Sequence, residues 1–185
     1  FVNTETVGGS DYMDWNEITE VQQAGIEIGN HSHSHAYFLN GNHNQFLEDL
    51  KTSEAQFEAN LGEKPILFAY PYGEYNLDVI ELVKQAGFDS AFGQNSGIAH
   101  GYNGFFELPR FAMNEQYGTI DRLQLAVDGL PLKVDQIVPE DVVLNEDNNP
   151  PNYGFTLAPD IANDRQLRCF NSTYGKLEVN ILGPR

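Results

Sequence analysis

The chain has few cations, and this shortage sets its charge. It carries 10 Lys and Arg residues against 27 Asp and Glu residues, which gives a formal net charge of −17 over 185 residues. A surface this negative repels phosphate backbones and anionic lipid headgroups. We therefore expect neither nucleic acid nor a membrane surface among its partners.

Long apolar runs and cysteine pairs are also missing. No run approaches the roughly 20 apolar residues that span a bilayer, so we expect no membrane span. Cys169 is the single cysteine, which excludes an intramolecular disulfide but leaves the redox compartment open. The first residues, 1–4, show neither an initiator Met nor a signal-peptide pattern, and we interpret the chain as an internal fragment or a processed product.

What the chain does contain is a regular alternation of apolar patterns up to about residue 130. Cap residues and apolar spacing predict helices after Asp14, from Phe46 to Gly62, from Leu77 to Gly87 and after Thr119. Compact apolar runs predict strands at 26–28, 65–70, 88–92 and near 105–113. Strand and helix in alternation are typical of an α/β fold with a parallel sheet or barrel.

The character of the sequence changes near residue 130. Prolines, an asparagine-rich stretch and short apolar runs then predict β-structure. We therefore divide the chain into a domain over residues 1–130 and a small β-rich extension over residues 131–185.

The histidines are concentrated in one place, where His31, His33 and His35 alternate with serines. On a strand all three imidazoles would share one face, whereas on a helical turn only His31 and His35 would. Neutral imidazole is a good ligand for zinc and other divalent transition metals. The spacing alone therefore leaves two interpretations open, a metal site or a solvated histidine-rich loop or tag remnant.

Two segments, residues 27–35 and residues 68–75, carry motifs that resemble those of a known family, the NodB-homology polysaccharide deacetylases of carbohydrate esterase family 4. Residues 27–35 resemble the second motif, a Gly-Asn turn followed by His-Ser/Thr and by a second His four residues after the first. Residues 68–75 are similar to the third motif, an Arg-x-Pro-Tyr/Phe-Gly segment that walls the active-site groove. The resemblance covers roughly residues 1–130.

This resemblance implies a distorted (β/α) barrel that hydrolyses N-acetyl groups of N-acetylglucosamine-containing polysaccharide. His31 and His35 would be the metal ligands, with His33 turned away, and the implied cofactor is a divalent metal, zinc first. The third motif would bind substrate through Tyr70, Pro71 and Tyr72, and the backbone amide of Tyr72 would stabilise the oxyanion. Such a protein would act on the cell envelope, in the periplasm or after secretion.

Several family features are missing or changed. The family's first motif, a Thr-Phe-Asp-Asp-type segment, supplies the general base and a carboxylate ligand, but no Asp-Asp pair occurs in these 185 residues. We expect the chain to begin just after that motif, so that the barrel is incomplete at its N-terminus. Ala69 stands where the third motif has Arg, and Arg110 is the candidate substitute unless it is a surface residue paired with a carboxylate.

The later motifs are not recognisable, which leaves His100 as the candidate general acid, or else as a solvated loop histidine. Two other functions follow from these departures. One is a carbohydrate-binding or scaffold module with a vestigial site. The other is a metal-binding protein without catalysis, in which His33 would matter as much as His31.

Overall fold

The computed structural model describes residues 1–39, 41–100, 104–144, 146–158 and 167–183. The helices are α1 (Trp15–Gln23), α2 (His43–Leu61), α3 (Leu77–Gln85) and α4 (Ile120–Asp128). The strands are β1 (Leu67–Ala69), β2 (Ser90–Phe92), β3 (Val134–Val138), β4 (Gly154–Leu157), β5 (Cys169–Asn171) and β6 (Gly175–Leu177). Short 3-10 turns cover Pro71–Gly73 and Glu146–Asn148.

The helix ends carry the expected local sequence signals, although α2 begins at His43, three residues before the predicted Phe46. The carboxylate of Asp14 accepts hydrogen bonds from the backbone at the start of α1, and Glu17 completes a capping box with it. Gly62 ends α2 in the left-handed conformation, with φ 78°. The side chain of Thr119 caps α4. All four predicted helices are thus confirmed, because caps and glycine stops act through contacts local in sequence.

The strands form a parallel array that is shorter than the sequence predicts. Strands β1 and β2 pair in parallel from Leu67↔Ser90 to Ala69↔Phe92. Isolated parallel bridges extend this pair, from Val2 to Asn30, from Asn30 to Phe68 and from Phe92 to Leu108. The predicted strand at 26–28 is wrong, and the one near 105–113 is reduced to a single bridge at Leu108. Within the described residues the five segments form an open array, so a closed barrel stays a prediction.

The hydrophobic core lies between the array and helices α2 and α3. The ring of Phe68 in β1 is fully buried and packs against Phe46 of α2 and against Phe88 and Tyr70. The α3 face contributes Val79, Ile80 and Val83 to the same cluster. Phe46, Phe68 and Tyr70 each have 1% or less of their surface exposed, so the ends of β1 and β2 are held firmly in place.

The C-terminal part contains β-structure, as the sequence predicts. Strands β3 and β4 pair antiparallel, and so do β5 and β6. The position of the domain boundary near residue 130 stays a prediction. None of the helices in the described part of the chain has the length and apolar character needed to cross a membrane.

Candidate active site

The candidate site lies where the parallel segments end. His31 directly follows the bridge residue Asn30, and Tyr72 follows β1 by three positions. Arg110 comes two residues after the bridge residue Leu108. Carboxyl ends of parallel strands meet at one edge, and α/β proteins place their sites there. The sheet direction therefore gathers residues that are far apart in the chain.

His31 is held in the form that binds a metal. Its Nδ1 atom lies 2.7 Å from the carbonyl oxygen of Ala69, which can only accept, so Nδ1 carries the proton and donates. Burial lowers the pKa of His31 to about 4, so the imidazole is neutral at pH 7. The lone pair of Nε2 is then available. Histidine ligands of metals are commonly anchored in this way through the other ring nitrogen.

His35 lies beside His31, with ring centroids 4.8 Å apart and ring planes at 78°. The chain between them is a loop rather than a helical turn. Ser32 and His35 both adopt the left-handed backbone conformation, with φ 66° and 52°. The hydroxyl of Ser32 accepts a hydrogen bond from the His35 N–H at 3.0 Å. The rings of His31 and His35 lie side by side, as the resemblance implies. The backbone achieves this through left-handed residues at Ser32 and His35 and not through a helical turn.

His33 points to a different part of the molecule. Its Nδ1 atom lies 2.9 Å from the hydroxyl oxygen of Thr4. The strand geometry, in which three imidazoles share one face, is therefore wrong. The reason is that the backbone turns sharply at Ser32 instead of remaining extended.

Helix α2 supports the histidine loop, residues 31–35, through a buried carboxylate. Asp49 is only 8% exposed and accepts hydrogen bonds from the backbone N–H of His33 at 2.7 Å and of Ser34 at 2.9 Å. The hydroxyl of Ser34 donates to the same carboxylate. Because a buried carboxylate needs such partners, the loop and the helix fix each other.

A second polar contact joins α2 to the start of the loop. The side-chain amide of Asn30, fully buried, donates to the hydroxyl of Ser53 at 2.9 Å, and its oxygen accepts from the Ser32 N–H at 2.8 Å. Sequence reasoning missed these positioning residues. The available signal was two polar residues four apart, Asp49 and Ser53, on the apolar side of the helix.

The third-motif segment contributes both buried and exposed residues to the site. Tyr70 is fully buried, and its hydroxyl donates to the carbonyl of Phe106 at 2.9 Å. Pro71 is also buried. Their burial means that both side chains mainly support the site, and their predicted role in substrate binding stays a prediction. Tyr72 is 54% exposed, and its ring centroid lies 4.6 Å from that of His35.

The turn after Tyr72 requires unusual backbone angles. Tyr72 has φ 58°, and Gly73 has φ 71°. A Cβ atom on Gly73 would collide with the backbone and side chain of Gln94, the second residue after β2. Only glycine fits here, and the close approach brings the end of β1 against the end of β2.

Arg110 faces the histidine side of the site. Its Nε donates to the carbonyl of Gly93 at 2.7 Å, and its guanidinium lies 5.9 Å from the ring centre of Phe1. Its positive charge contributes to lowering the pKa of His31, after burial and the neighbouring His35. Among the described residues no carboxylate forms an ion pair with Arg110. This argues against the alternative of a surface arginine paired with an acid.

The other candidate, His100, is half-buried in the irregular segment after β2, next to residues 101–103, which lie outside the described part. Its role as general acid stays a prediction. His31 and His35 fit a metal ion as a pair of neighbouring imidazole ligands. The described residues contain no group of three His, Cys, Asp or Glu side chains that could hold a metal ion. A catalytic zinc site typically has three protein ligands, so a metal site at this pair stays a prediction that requires a third ligand.

The fold and site together define an α/β protein with a histidine pair at the carboxyl edge of a parallel array. Comparison with known proteins indicates which family of α/β proteins the chain resembles. The family model for polysaccharide deacetylases matches residues 1–91. The predicted resemblance to this family is therefore confirmed over residues 1–91.

Solved structures agree on the fold. The chain is similar to the Streptococcus pyogenes deacetylase PplD in complex with acetate, with a TM-score of 0.61, 21% identity and coverage of 68% of this chain and 56% of that one. It is similar to IcaB from Ammonifex degensii, with a TM-score of 0.58, 26% identity and coverage of 69% and 59%. It is also similar to the Bacillus cereus polysaccharide deacetylase BC0361, with a TM-score of 0.58, 21% identity and coverage of 69% and 40%. The chain spans between 40% and 59% of the length of these structures.

Proposed function

We propose that this chain belongs to a metal-dependent hydrolase that removes N-acetyl groups from an N-acetylglucosamine-containing polysaccharide, such as peptidoglycan, a chitin-like polymer or poly-N-acetylglucosamine. The observation that carries the proposal is the anchored histidine pair. His31 donates through Nδ1 to Ala69, its Nε2 is free, and His35 lies 4.8 Å away between ring centroids. The match of residues 1–91 to the deacetylase family supports the same chemistry.

In this proposal His31 and His35 hold a divalent metal, zinc first. Bound there, the ion supplies a water of lowered pKa and polarisation of the acetyl carbonyl. We infer that the third ligand and the general base are carboxylates of a Thr-Phe-Asp-Asp-type segment, which these 185 residues do not contain.

The roles of the other residues follow from their positions. The backbone N–H of Tyr72, in a left-handed turn beside His35, is proposed to donate to the developing oxyanion. Arg110, with no carboxylate partner among the described residues, is proposed to orient the general base in place of the arginine missing at Ala69. His100 is proposed as the general acid that protonates the leaving amine.

We further propose that the open parallel array is part of a distorted (β/α) barrel spanning residues 1–130, followed by the β-rich extension 131–185. The similar solved structures support this architecture. A polymer of the cell envelope is met outside the cytoplasm, so we place the protein in the periplasm or outside the cell.

Acetate release tests the enzymatic proposal. The full-length gene product is incubated with acetylated chitooligosaccharides and Zn²⁺, and free acetate is measured. We expect release that stops on chelation and is lost in His31→Ala. A folded, zinc-loaded protein that releases no acetate would show that the enzymatic proposal is wrong.

A second function is favoured by one observation, that the described residues include two histidine ligands and no third ligand. In this case the chain is a carbohydrate-binding or scaffold module with a vestigial site. It would bind saccharide equally well after treatment with a chelator and after His31→Ala. Loss of binding in either experiment would exclude it.

A further inference from the structure

Two exposed tyrosines stand side by side next to the histidine pair. Tyr37 is 53% exposed and Tyr72 is 54% exposed, and their ring centroids lie 6.4 Å apart at an angle of 54°. Tyr72 in turn contacts His35. Neither the family motifs nor the proposed reaction uses the ring of Tyr37. Adjacent aromatic faces that are open to solvent at the edge of a site can form a ligand-binding surface.

Tyr37 is held in place although its ring is exposed. The next residue, Phe38, is buried and packs against Phe46 of α2, with ring centroids 4.8 Å apart. The carboxylate of Glu74 faces the Tyr37 hydroxyl, and hydrogen bonding to it raises the pKa of Tyr37. Tyr37 and Glu74 also line one small cleft together with Pro71. The ring is therefore presented by a fixed backbone and an acidic neighbour.

The side chains of Tyr37, Tyr72 and Glu74 suit a particular kind of sugar. Aromatic faces pack against the apolar C–H face of a pyranose ring, and tyrosine adds a polar edge. A carboxylate beside such a face attracts an ammonium group, and the ring itself attracts a cation. Glucosamine that has lost its acetyl group offers both features, because its free amine is protonated near neutral pH. N-acetylglucosamine offers only the apolar face.

We propose that Tyr37, Tyr72 and Glu74 form a sugar subsite next to the histidine pair that prefers a deacetylated glucosamine unit. This inference rests on the proposed function, since the neighbouring unit of the polymer is the one that loses its acetyl group. It predicts that the protein favours chains that already carry free amines. Deacetylation would then spread in blocks along the polymer.

The test compares two tetrasaccharides, fully acetylated chitotetraose and fully deacetylated glucosamine tetramer, by isothermal titration calorimetry of the full chain at 0.15 M salt. We expect the deacetylated tetramer to bind more tightly. Tyr37→Ala should weaken both ligands about five- to tenfold, the range of one aromatic contact. Glu74→Gln should remove the preference for the deacetylated ligand while changing the affinity for chitotetraose less than about twofold.

Matched controls separate the subsite from general effects. Tyr174→Ala and Glu178→Gln remove an exposed tyrosine and an exposed glutamate far along the chain, and both should leave the two affinities unchanged. Far-ultraviolet circular dichroism confirms that each variant is folded. Equal affinity for the two ligands, absence of binding, or unchanged binding in a folded Tyr37→Ala would each overturn the subsite.

The possible results also distinguish a failure of the subsite proposal from a failure of the deacetylase proposal. Acetate release combined with binding that ignores Tyr37 and Glu74 would overturn the subsite alone. Binding that depends on Tyr37 and Glu74 without acetate release would overturn the deacetylase proposal and leave a glucosamine-binding surface.

Discussion

The backbone at Gly73 is among the most constrained points of the site. The residue has φ 71°, and any Cβ there would run into Gln94. The turn it permits sets the position of Tyr72 relative to His35. A side chain at this position would therefore disturb both stability and the site.

Gly73→Ala should lower the free energy of unfolding by about 2 kcal/mol or more, because it combines left-handed backbone strain with a steric clash. Urea denaturation followed by circular dichroism measures this change. The control is Gly154→Ala, where φ is not positive and nothing lies within 4 Å of the added Cβ. It should shift stability by less than about 0.5 kcal/mol. Similar losses in both variants would contradict the steric argument.

The rings of His31 and His33 face different groups. The Nε2 atom of His31 is free for a ligand, whereas His33 turns toward Thr4. In the full-length gene product, His31→Ala should weaken zinc binding at least tenfold, and His33→Ala should change it less than about twofold. Calorimetric titration with Zn²⁺ measures both. Equal losses would favour a site formed by all three histidines.

At the scale of elements, α2 acts as the support of the histidine loop. Asp49→Asn keeps the size of the side chain but replaces an acceptor oxygen by an N–H₂ group facing the N–H groups of His33 and Ser34. We expect a loss of about 1 to 3 kcal/mol in stability, together with a zinc affinity lowered about tenfold or more.

The matched control on the same helix is Glu48→Gln, because the Glu48 side chain is exposed and forms an ion pair with Lys51. It should change stability by less than about 0.5 kcal/mol and leave zinc affinity unaltered. Urea denaturation and calorimetry are run on both variants. A normal zinc affinity in a folded Asp49→Asn protein would show that Asp49 stabilises the fold without positioning the ligands.

The elements also show what sequence can and cannot predict. Helix α1 follows from Asp14 and Gly25, because capping is decided within a few residues. The strand predicted at 26–28 is wrong, because strand pairing depends on partners far away in the chain. The parallel bridges in this region form at Asn30, two residues after the predicted strand. The pairing of His31 with His35 was implied by family resemblance, whereas spacing alone left two geometries open.

The supporting contacts of the site could not be predicted for a similar reason. Asp49 reaches the loop across 15 and 16 positions, and Arg110 reaches Gly93 across 17. Such contacts depend on how α2 and the array pack together. The polar residue Asp49 on the apolar side of α2 indicates a buried polar contact, but no local pattern specifies which segment provides the partner.

At the scale of the whole molecule, metal binding and folding should be coupled. A ligand that binds only the folded state at a hundred times its dissociation constant adds about 2.7 kcal/mol. For a domain of this size that corresponds to a rise in Tm of about 5 to 10 °C. We expect this rise for the full-length gene product in Zn²⁺ compared with chelator, and its absence in His31→Ala. Differential scanning calorimetry measures it, and an equal rise in His31→Ala would place the ion elsewhere.

The hydrogen bond from His31 to the carbonyl of Ala69 joins the two family motifs across 38 positions of sequence. Its acceptor is a main-chain atom, so the identity of residue 69 does not determine whether the imidazole is oriented. The alanine at this position therefore still orients the imidazole of His31. What this orientation does depend on is the placement of β1, which Phe68 and its neighbours fix by packing. Substitution of the side chain at position 69 can therefore change the chemistry of the groove without changing the orientation of His31. Substitutions in the core under β1, in contrast, would move β1 and change the direction in which the Nε2 lone pair of His31 points.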